Sequence, residues 1–244
     1  MRQLLFFSNN KNKIIEIKKI FKKFNLELLS LNDLNISEEP EESGQTFEEN
    51  AKIKSDHGFN KTGIPCFADD SGICIESLNW KPGVLSKRFL NNFKNKEVCF
   101  KSIFKSIKNS GKQNAYFKTS ISLTINKSQN IIFNGKIYGK ISEQIKGNFG
   151  FGYDPIFIPK NYNKTLAELS TKDKNEISHR SIAVNKLINF IYTKEYKFGD
   201  VIELLNNPNK KFDGIDGNFY FKNNMIERNL DILKISNGNS FVIN

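Results

Sequence analysis

Histidine and cysteine are scarce in this chain of 244 residues, with two of the first and three of the second. Cys66, Cys74 and Cys99 are odd in number and lack the C-x-x-C spacing of zinc sites. His57 and His179 cannot supply a multi-histidine centre. Any metal is left to carboxylates, which select a hard ion such as Mg²⁺. Long apolar runs are also missing. Leu4–Phe7 is too short for a signal-peptide core, and no stretch approaches the ~20 apolar residues of a membrane helix. A soluble, cytoplasmic protein without a membrane partner is expected. Basic blocks and Arg-rich arms are lacking too, although the net charge is +11. Lys18–Lys19, Lys22–Lys23 and Lys210–Lys211 are dispersed pairs, so the charge reads as diffuse composition and no stable nucleic-acid partner is expected.

What remains is an ordinary globular composition, 38% hydrophobic, long enough for one large α/β domain or two small ones. Leu4–Phe7 reads as a strand. Ile14, Ile17, Ile20, Phe21 and Phe24 mark one face of a helix, and Leu26–Leu29 a second strand, a βαβ opening that sets the α/β class. Glu38–Gly44 reads as a loop. Thr46 and Glu49 form a capping box for a helix that runs towards Lys61. Cys66–Glu76 reads as strand, tight turn and strand, with Asp69-Asp70-Ser71-Gly72 in the turn. Phe100, Ile103, Phe104 and Ile107 predict a helix. The alternation of Phe117, Thr119, Ile121, Leu123 and Ile125 predicts a half-buried strand paired with Ile131–Ile141. Asn148–Pro159 is a glycine- and aromatic-rich loop feeding a short strand, and Val184, Leu187, Ile188 and Ile191 define a last helix, with Ser178 as its cap. Composition changes after Tyr196, which divides the chain into a domain at 1–196 and an appended tail at 197–244 with a β-hairpin holding Ile232 and Ile235.

Three segments carry chemistry. Ser8-Asn9-Asn10-Lys11-Asn12-Lys13 ends a strand and opens a helix, which aims free N–H groups and a positive dipole end at an anion such as phosphate, with Lys13 as a point charge. It is no Walker loop, and an ordinary capped helix start fits it as well. Glu41-Glu42 and Asp69-Asp70 are acidic pairs. The second, crowded between apolar strands, needs a cation or donors, and Mg²⁺ shared with phosphate oxygens meets that need; solvated loop acids are the alternative. Gly147–Pro155, with Lys174 and Ser178-His179-Arg180, sets aromatics among glycines and N–H donors, which suits a flat base bearing carbonyl oxygens, or a turn plus a helix cap. A hydrolase triad of Ser71, His179 and Asp154 lacks the Gly-x-Ser-x-Gly elbow.

Together, Ser8–Lys13, Glu41–Gly44, Thr46–Lys54, Ala68–Gly72, Pro82-Gly83, Ser86, Arg88, Gly150–Pro155, Ala167-Glu168, Lys174 and Ser178–Arg180 closely resemble the inosine triphosphate pyrophosphatase family, over roughly Met1–Ile191. The resemblance implies an elongated, two-lobed α/β fold with a central twisted mixed sheet, helices on its faces and a groove between the lobes, in a homodimer. It implies hydrolysis of ITP, dITP and XTP to the monophosphate and pyrophosphate. Ser8, Asn9, Asn10, Lys11, Asn12 and Lys13 should hold the phosphates, with Lys54 adding charge. Glu41 and Asp70 should ligate Mg²⁺, with Asp70 accepting a proton from the attacking water. Ser71 should touch substrate, and Phe151, Gly152, Tyr153, Asp154, Lys174, His179 and Arg180 should form the base pocket. Asn9, Leu85, Lys87 and the stretch Asn79-Trp80-Lys81 depart from commoner family residues. The rivals are a basic nucleic-acid-binding protein, on the net charge, and a Maf-like pyrophosphatase for modified pyrimidine triphosphates, which the His179–Arg180 pair speaks against. The tail, through Phe212–Gly217, Phe219, Phe221, Glu227-Arg228 and Asn237-Gly238, is similar to the C-terminal end of periplasmic-binding-type receptors and reads as a fusion remnant or a gene-boundary accident rather than a sensor module.

Overall fold

The computed structural model describes residues 3–22, 24 and 26–195, and strands at 212–214, 217–222, 225–227, 232–236 and 239–243. The chain divides into two compact units, Met1–Asn189 and Phe190–Asn244.

The first unit is a mixed α/β structure. β1 (Gln3–Phe6), α1 (Lys11–Lys22) and β2 (Glu27–Ser30) form the βαβ opening, with Leu4 opposite Leu28 in a parallel pair. On α1 the residues fully inside are Ile17, Ile20 and Phe21; Phe24 lies beyond the helix end. α2 (Phe47–Thr62) starts on the expected capping box, where the Thr46 side chain accepts from the Glu49 N–H and Glu49 reaches back to the Thr46 N–H. It ends on Gly63 at φ 69°, a left-handed cap that glycine adopts without strain. β3 (Cys66–Ile75), the two-residue β4 (Lys81–Pro82), β5 (Asn114–Asn126), β6 (Gln129–Ile141) and β7 (Phe157–Pro159) complete the sheet. Its order is β2-β1-β3-β5-β6-β7, with β4 paired to β3. β1 is parallel to both β2 and β3, and every other pair is antiparallel. α3 (Ser86–Asn91), α4 (Lys96–Ser110), α5 (Thr171–Ile177) and α6 (His179–Glu195) are the remaining α-helices among the described residues. Cys99, Phe100, Ile103 and Ile107 of α4 pack with Ile73, Ile75, Phe117, Ile141 and Phe157 into the larger core.

Two expectations about the sheet fail. Cys66–Ile75 is one continuous strand, not a hairpin, and Asp69 and Asp70 sit in its middle. Each residue from Cys66 to Ile75 has a partner on β5, from Thr124 down to Ala115, so the ladder leaves no room for a turn. Gly72 serves close approach instead: a Cβ there would lie 2.2 Å from the Gly83 carbonyl and 2.5 Å from Ser86 Oγ. β5, expected to be half-buried, is buried on both faces from Thr119 to Thr124. Ser55 of α2 covers its second face through hydroxyl contacts to Ser122 (2.8 Å) and Thr124 (2.9 Å). A small polar face buried under a helix alternates like a solvated one, so the pattern alone misreads it.

Gly135 on β6 meets the start of α6. A Cβ there would stand 2.0 Å from the His179 carbonyl oxygen and 2.7 Å from the Ala183 nitrogen, both of them backbone atoms that cannot rotate away. Overpacking costs about 1–3 kcal/mol where side chains can shift, and more here. Gly135→Ala is expected to lower the thermal unfolding midpoint by at least 5 °C or to abolish soluble expression; an unchanged midpoint would show that α6 can retreat from the sheet.

In the second unit five strands lie in the order β12-β11-β10-β9-β8, all antiparallel: β8 (Phe212–Gly214), β9 (Gly217–Lys222), β10 (Met225–Glu227), β11 (Ile232–Ser236) and β12 (Asn239–Ile243). The hairpin holding Ile232 and Ile235 is β11 with β12. Ile215, Asp216, Arg228, Asn237 and Gly238 of the receptor-like motif lie outside the described residues.

Candidate active site

The end of β1 leads into α1 through Ser8–Asn10. Asn10 Oδ1 accepts from the N–H groups of Asn12 (3.1 Å) and Lys13 (3.2 Å), and Ser8 Oγ accepts from the Asn10 N–H (3.2 Å). Asn9 donates its N–H to Glu39 (2.7 Å) and its side-chain amide to the Ser37 carbonyl (3.1 Å), tying the following acidic loop to this corner. Ser8, Asn9, Asn10 and Lys13 line a cavity of about 640 Å³. Lys11 and Asn12, expected beside them, are exposed and lie off its wall, because the helical turn carries them to the outer side. Burial lowers the Lys13 pKa, and Asp69, with Oδ2 at 3.0 Å, is the strongest influence holding its proton.

Lys13, Lys54 and Arg180 surround the carboxylates of β3. Burial works against an ionised Asp69, but Lys13, Arg180 and Lys54 together hold it well below the ordinary carboxylate range. It also accepts from the Ser71 hydroxyl (2.6 Å), and its Oδ1 has no hydrogen-bond partner. Asp70 differs. Burial, with Glu42 adding repulsion, pushes its pKa up to about 6 against the pull of Lys54 and Lys13. Asp70 accepts from Asn50 Nδ2 (3.2 Å) and the Ser71 N–H (3.0 Å). Lys54 is buried on α2, donates to the Asp69 carbonyl (2.7 Å) and pairs with Glu42. Despite the cost of burial, Asp70, Asp69 and Glu42 keep its pKa above the ordinary lysine value. Glu41 is exposed and shares the cavity wall with Glu42 and Asp70.

The rest of the wall is built by the loop before β7 and by α5 and α6. Asp154 accepts from the Phe151 N–H (2.7 Å) and from Lys174 Nζ (2.8 Å), which fixes the glycine-rich loop. Lys174 also donates to Glu16 of α1 (2.8 Å), and Arg180 pairs with the other oxygen of Glu16 and reaches Ser71 Oγ at 3.3 Å. The Phe151 ring lies against both cations, 4.8 Å from Lys174 Nζ and 5.5 Å from Arg180 Cζ. His179 stacks on Phe117 at 4.7 Å. Burial, reinforced by Arg180 and Lys174, holds its pKa well below 6.5, so it is a neutral ring with one N–H to give. Gly152 and Tyr153 also line the wall, but the Tyr153 hydroxyl is committed to the Ser86 carbonyl (2.8 Å). No Ser-His-Asp relay forms: Ser71 donates to Asp69, and Asp154 is held by Lys174.

Sequence reasoning missed Glu16, Asn50 and Phe117. Glu16 is three residues after Lys13 on α1, so helical spacing turns it to the same face; Asn50 and Phe117 gave no signal of their own. Among the described residues no cluster of three or more metal-ligating side chains occurs. Yet Glu41, Glu42 and Asp70 offer oxygen donors on one wall, and Asp70 carries a raised pKa that a cation would relieve. This donor set fits a hard divalent ion that completes its shell with waters and substrate oxygens.

Residues 4–190 match the model of the Ham1 family. The dITP/XTP pyrophosphatase of Christiangramia forsetii is 42% identical over 189 residues, 78% of this chain and 98% of that protein. The dITP/XTP pyrophosphatase of Flavobacterium johnsoniae is 42% identical over 78% of this chain and 97% of its own length. Among solved structures, a HAM1 protein from Coxiella burnetii superimposes with a TM-score of 0.72 at 31% identity, over 79% of this chain and all of the other. The Staphylococcus aureus Ham1 protein gives 0.70 at 34%, over 79% of this chain and 99% of the other. With its motifs gathered around one cavity, this chain belongs to the Ham1 family.

Proposed function

We propose that this chain hydrolyses non-standard purine nucleoside triphosphates such as dITP, ITP and XTP to the monophosphate and pyrophosphate, removing them from the nucleotide pool of the cytoplasm. One observation carries the reading: a single cavity is lined by Lys13, Lys54 and Asp70 and also by Phe151, Lys174, His179 and Arg180. A triphosphate and a flat base need those two chemistries in one space.

In this reading Lys13 and Lys54 hold the phosphates as point charges, with Ser8 and Asn10 donating beside them. Glu41 and Asp70 would hold Mg²⁺, which when bound neutralises charge at the scissile phosphoanhydride. Asp70 orients a water for in-line attack on the α-phosphorus and takes its proton, a role suited to a carboxylate whose pKa burial has raised towards neutrality. For the base the same cavity supplies donors from Lys174, Arg180 and the single N–H of His179. A purine carbonyl accepts them, whereas the amino group of adenine meets donor with donor. Phe151 supplies the apolar face. The chemistry is confined to 1–196 and leaves the tail at 197–244 outside it.

ITP is expected to give IMP and intact pyrophosphate, because the outer phosphates must reach Lys13 and Lys54 while the α-phosphorus faces Asp70. Product analysis by anion-exchange chromatography with Mg²⁺, over a panel that includes ATP and GTP, checks both bond and base. IDP with orthophosphate as first products would place the cut at the wrong bond; ATP turned over as fast as ITP would remove the base assignment.

A further inference from the structure

The two acids that would hold Mg²⁺ come from separate parts of the chain, and one buried side chain ties those parts together. Asn50 sits in the first turn of α2 and is 3% exposed. Its Oδ1 accepts from the Gly44 N–H (2.8 Å), at the end of the loop that carries Glu41 and Glu42. A backbone N–H can only donate, so this bond fixes which way round the amide lies. Nδ2 is left to donate to Asp70 Oδ2, at 3.2 Å. The other oxygen of Asp70 accepts the Ser71 N–H (3.0 Å). Each oxygen of that carboxylate has a second lone pair for a further partner.

The first turns of α2 hold the acidic loop at several points. Glu49 accepts from the next two N–H groups, those of Gln45 (2.7 Å) and Thr46 (3.2 Å). Gly44 permits the approach, since a Cβ there would lie 2.7 Å from both Asn50 Oδ1 and Glu49 Cβ. Lys54, one turn beyond Asn50 on the same face, pairs with Glu42 and donates to the Asp69 carbonyl. The two bridges differ in charge. Lys54 offsets the acid it holds, whereas the amide of Asn50 fixes Asp70 and leaves its negative charge for a cation. Asn50 does not line the cavity, so it acts from behind the wall.

We infer that Asn50 is a positioning residue for the divalent ion: it holds the Glu41–Glu42 loop and the Asp70 carboxylate in register, so that acids from both can grip one hard cation. The inference rests on the reading of Glu41 and Asp70 as the holders of Mg²⁺. That ion tolerates little departure from octahedral geometry, so ligands on two separate segments must be set before it binds. Hydrogen bonds that orient metal ligands are worth about 10–100-fold in affinity. Satisfying the buried end of the loop needs only Oδ1 of Asn50, and gives no reason for Nδ2 to face a carboxylate.

Asn50→Leu keeps much of the volume and removes both bonds. Gly44→Ala pushes on Oδ1 and leaves Asn50 in place. Gln45→Ala, an exposed neighbour whose N–H is retained, is the control. Mn²⁺ is titrated into each full chain with saturating α,β-methylene ITP, and free Mn²⁺ is read by electron paramagnetic resonance. Calorimetry gives the affinity for the same analogue without metal. Asn50→Leu and Gly44→Ala are expected to bind Mn²⁺ about tenfold more weakly or worse, with metal-free affinity for the analogue and the Gln45→Ala control both near the parent. The Mg²⁺ concentration for half-maximal ITP turnover should rise by a similar factor, and kcat should recover at saturating Mg²⁺. A merely structural defect would lower the unfolding midpoint and the metal-free affinity and leave the Mn²⁺ constant unmoved. That pattern, an Asn50→Leu Mn²⁺ constant equal to that of the parent, or an equal loss in Gln45→Ala would overturn the assignment. Where Asn50→Leu does not fold, Gly44→Ala decides by the same readings. A parent complex that takes up no Mn²⁺ would instead remove Glu41 and Asp70 as ion holders, and Asn50 would have no ion to position.

Discussion

Asp70→Asn is expected to lower kcat for ITP by about 10²–10⁴-fold while leaving nucleotide binding measurable. Asparagine keeps the shape and can still accept the Ser71 N–H at 3.0 Å, but it takes no proton and is a poor ligand for a divalent ion. Misfolding would not explain the loss. An acid whose folded pKa is raised, here to about 6 by burial, with Glu42 adding repulsion, costs the folded state stability as pH climbs from the ordinary carboxylate value to that one, and the full cost is present at neutral pH. Removing the charge therefore leaves stability equal or greater at neutral pH. Steady-state kinetics with ITP and Mg²⁺, read beside thermal unfolding, separate these effects. A variant that keeps activity within tenfold of the parent, with an unchanged midpoint, would remove Asp70 from the role of base.

Much of this site was legible because its parts are short and local. The capping box at Thr46 and Glu49 fixes where α2 begins, and that start sets Lys54 two turns later against β3. Glycines and aromatics in Phe151–Asp154 announced a loop that a ring can approach. The crowding of Asp69 and Asp70 is legible in the apolar residues on either side of them, but their element is not: they stand inside a strand. Adjacent acids followed by Ser-Gly favour a turn when only local propensity is weighed. The cations that make a strand tolerable there come from α1, α2 and α6, a long way off in sequence. Glu16 was missed for the same reason, since its partners Lys174 and Arg180 are 158 and 164 residues away. The division of labour between the two aspartates follows from which cations reach each, and no spacing rule contains that.

Asp69→Asn is expected to be the more damaging substitution for stability, with an effect on catalysis that depends on pH. Asp69 is buried between Lys13 (3.0 Å) and Arg180 (3.5 Å from Nε), and breaking a buried ion pair from one side costs about 3–5 kcal/mol, because the abandoned charges stay buried. Arg180 keeps Glu16 as a partner, but for Lys13 the loss is greater. Burial already lowers its pKa, and Asp69 is the largest influence opposing that. Without the carboxylate the Lys13 pKa falls further, and a lysine is charged only below its pKa. KM for ITP should therefore rise as pH is raised, more steeply than in the parent, and recover as pH is lowered and Lys13 regains its proton. A purely structural defect would lower the unfolding midpoint and leave the pH profile of KM parallel to that of the parent. Kinetics from pH 6.5 to 9, below the variant's own unfolding temperature, distinguish the two. Parallel profiles would mean that Lys13 keeps its charge without Asp69, and that the pair serves the fold rather than the phosphates.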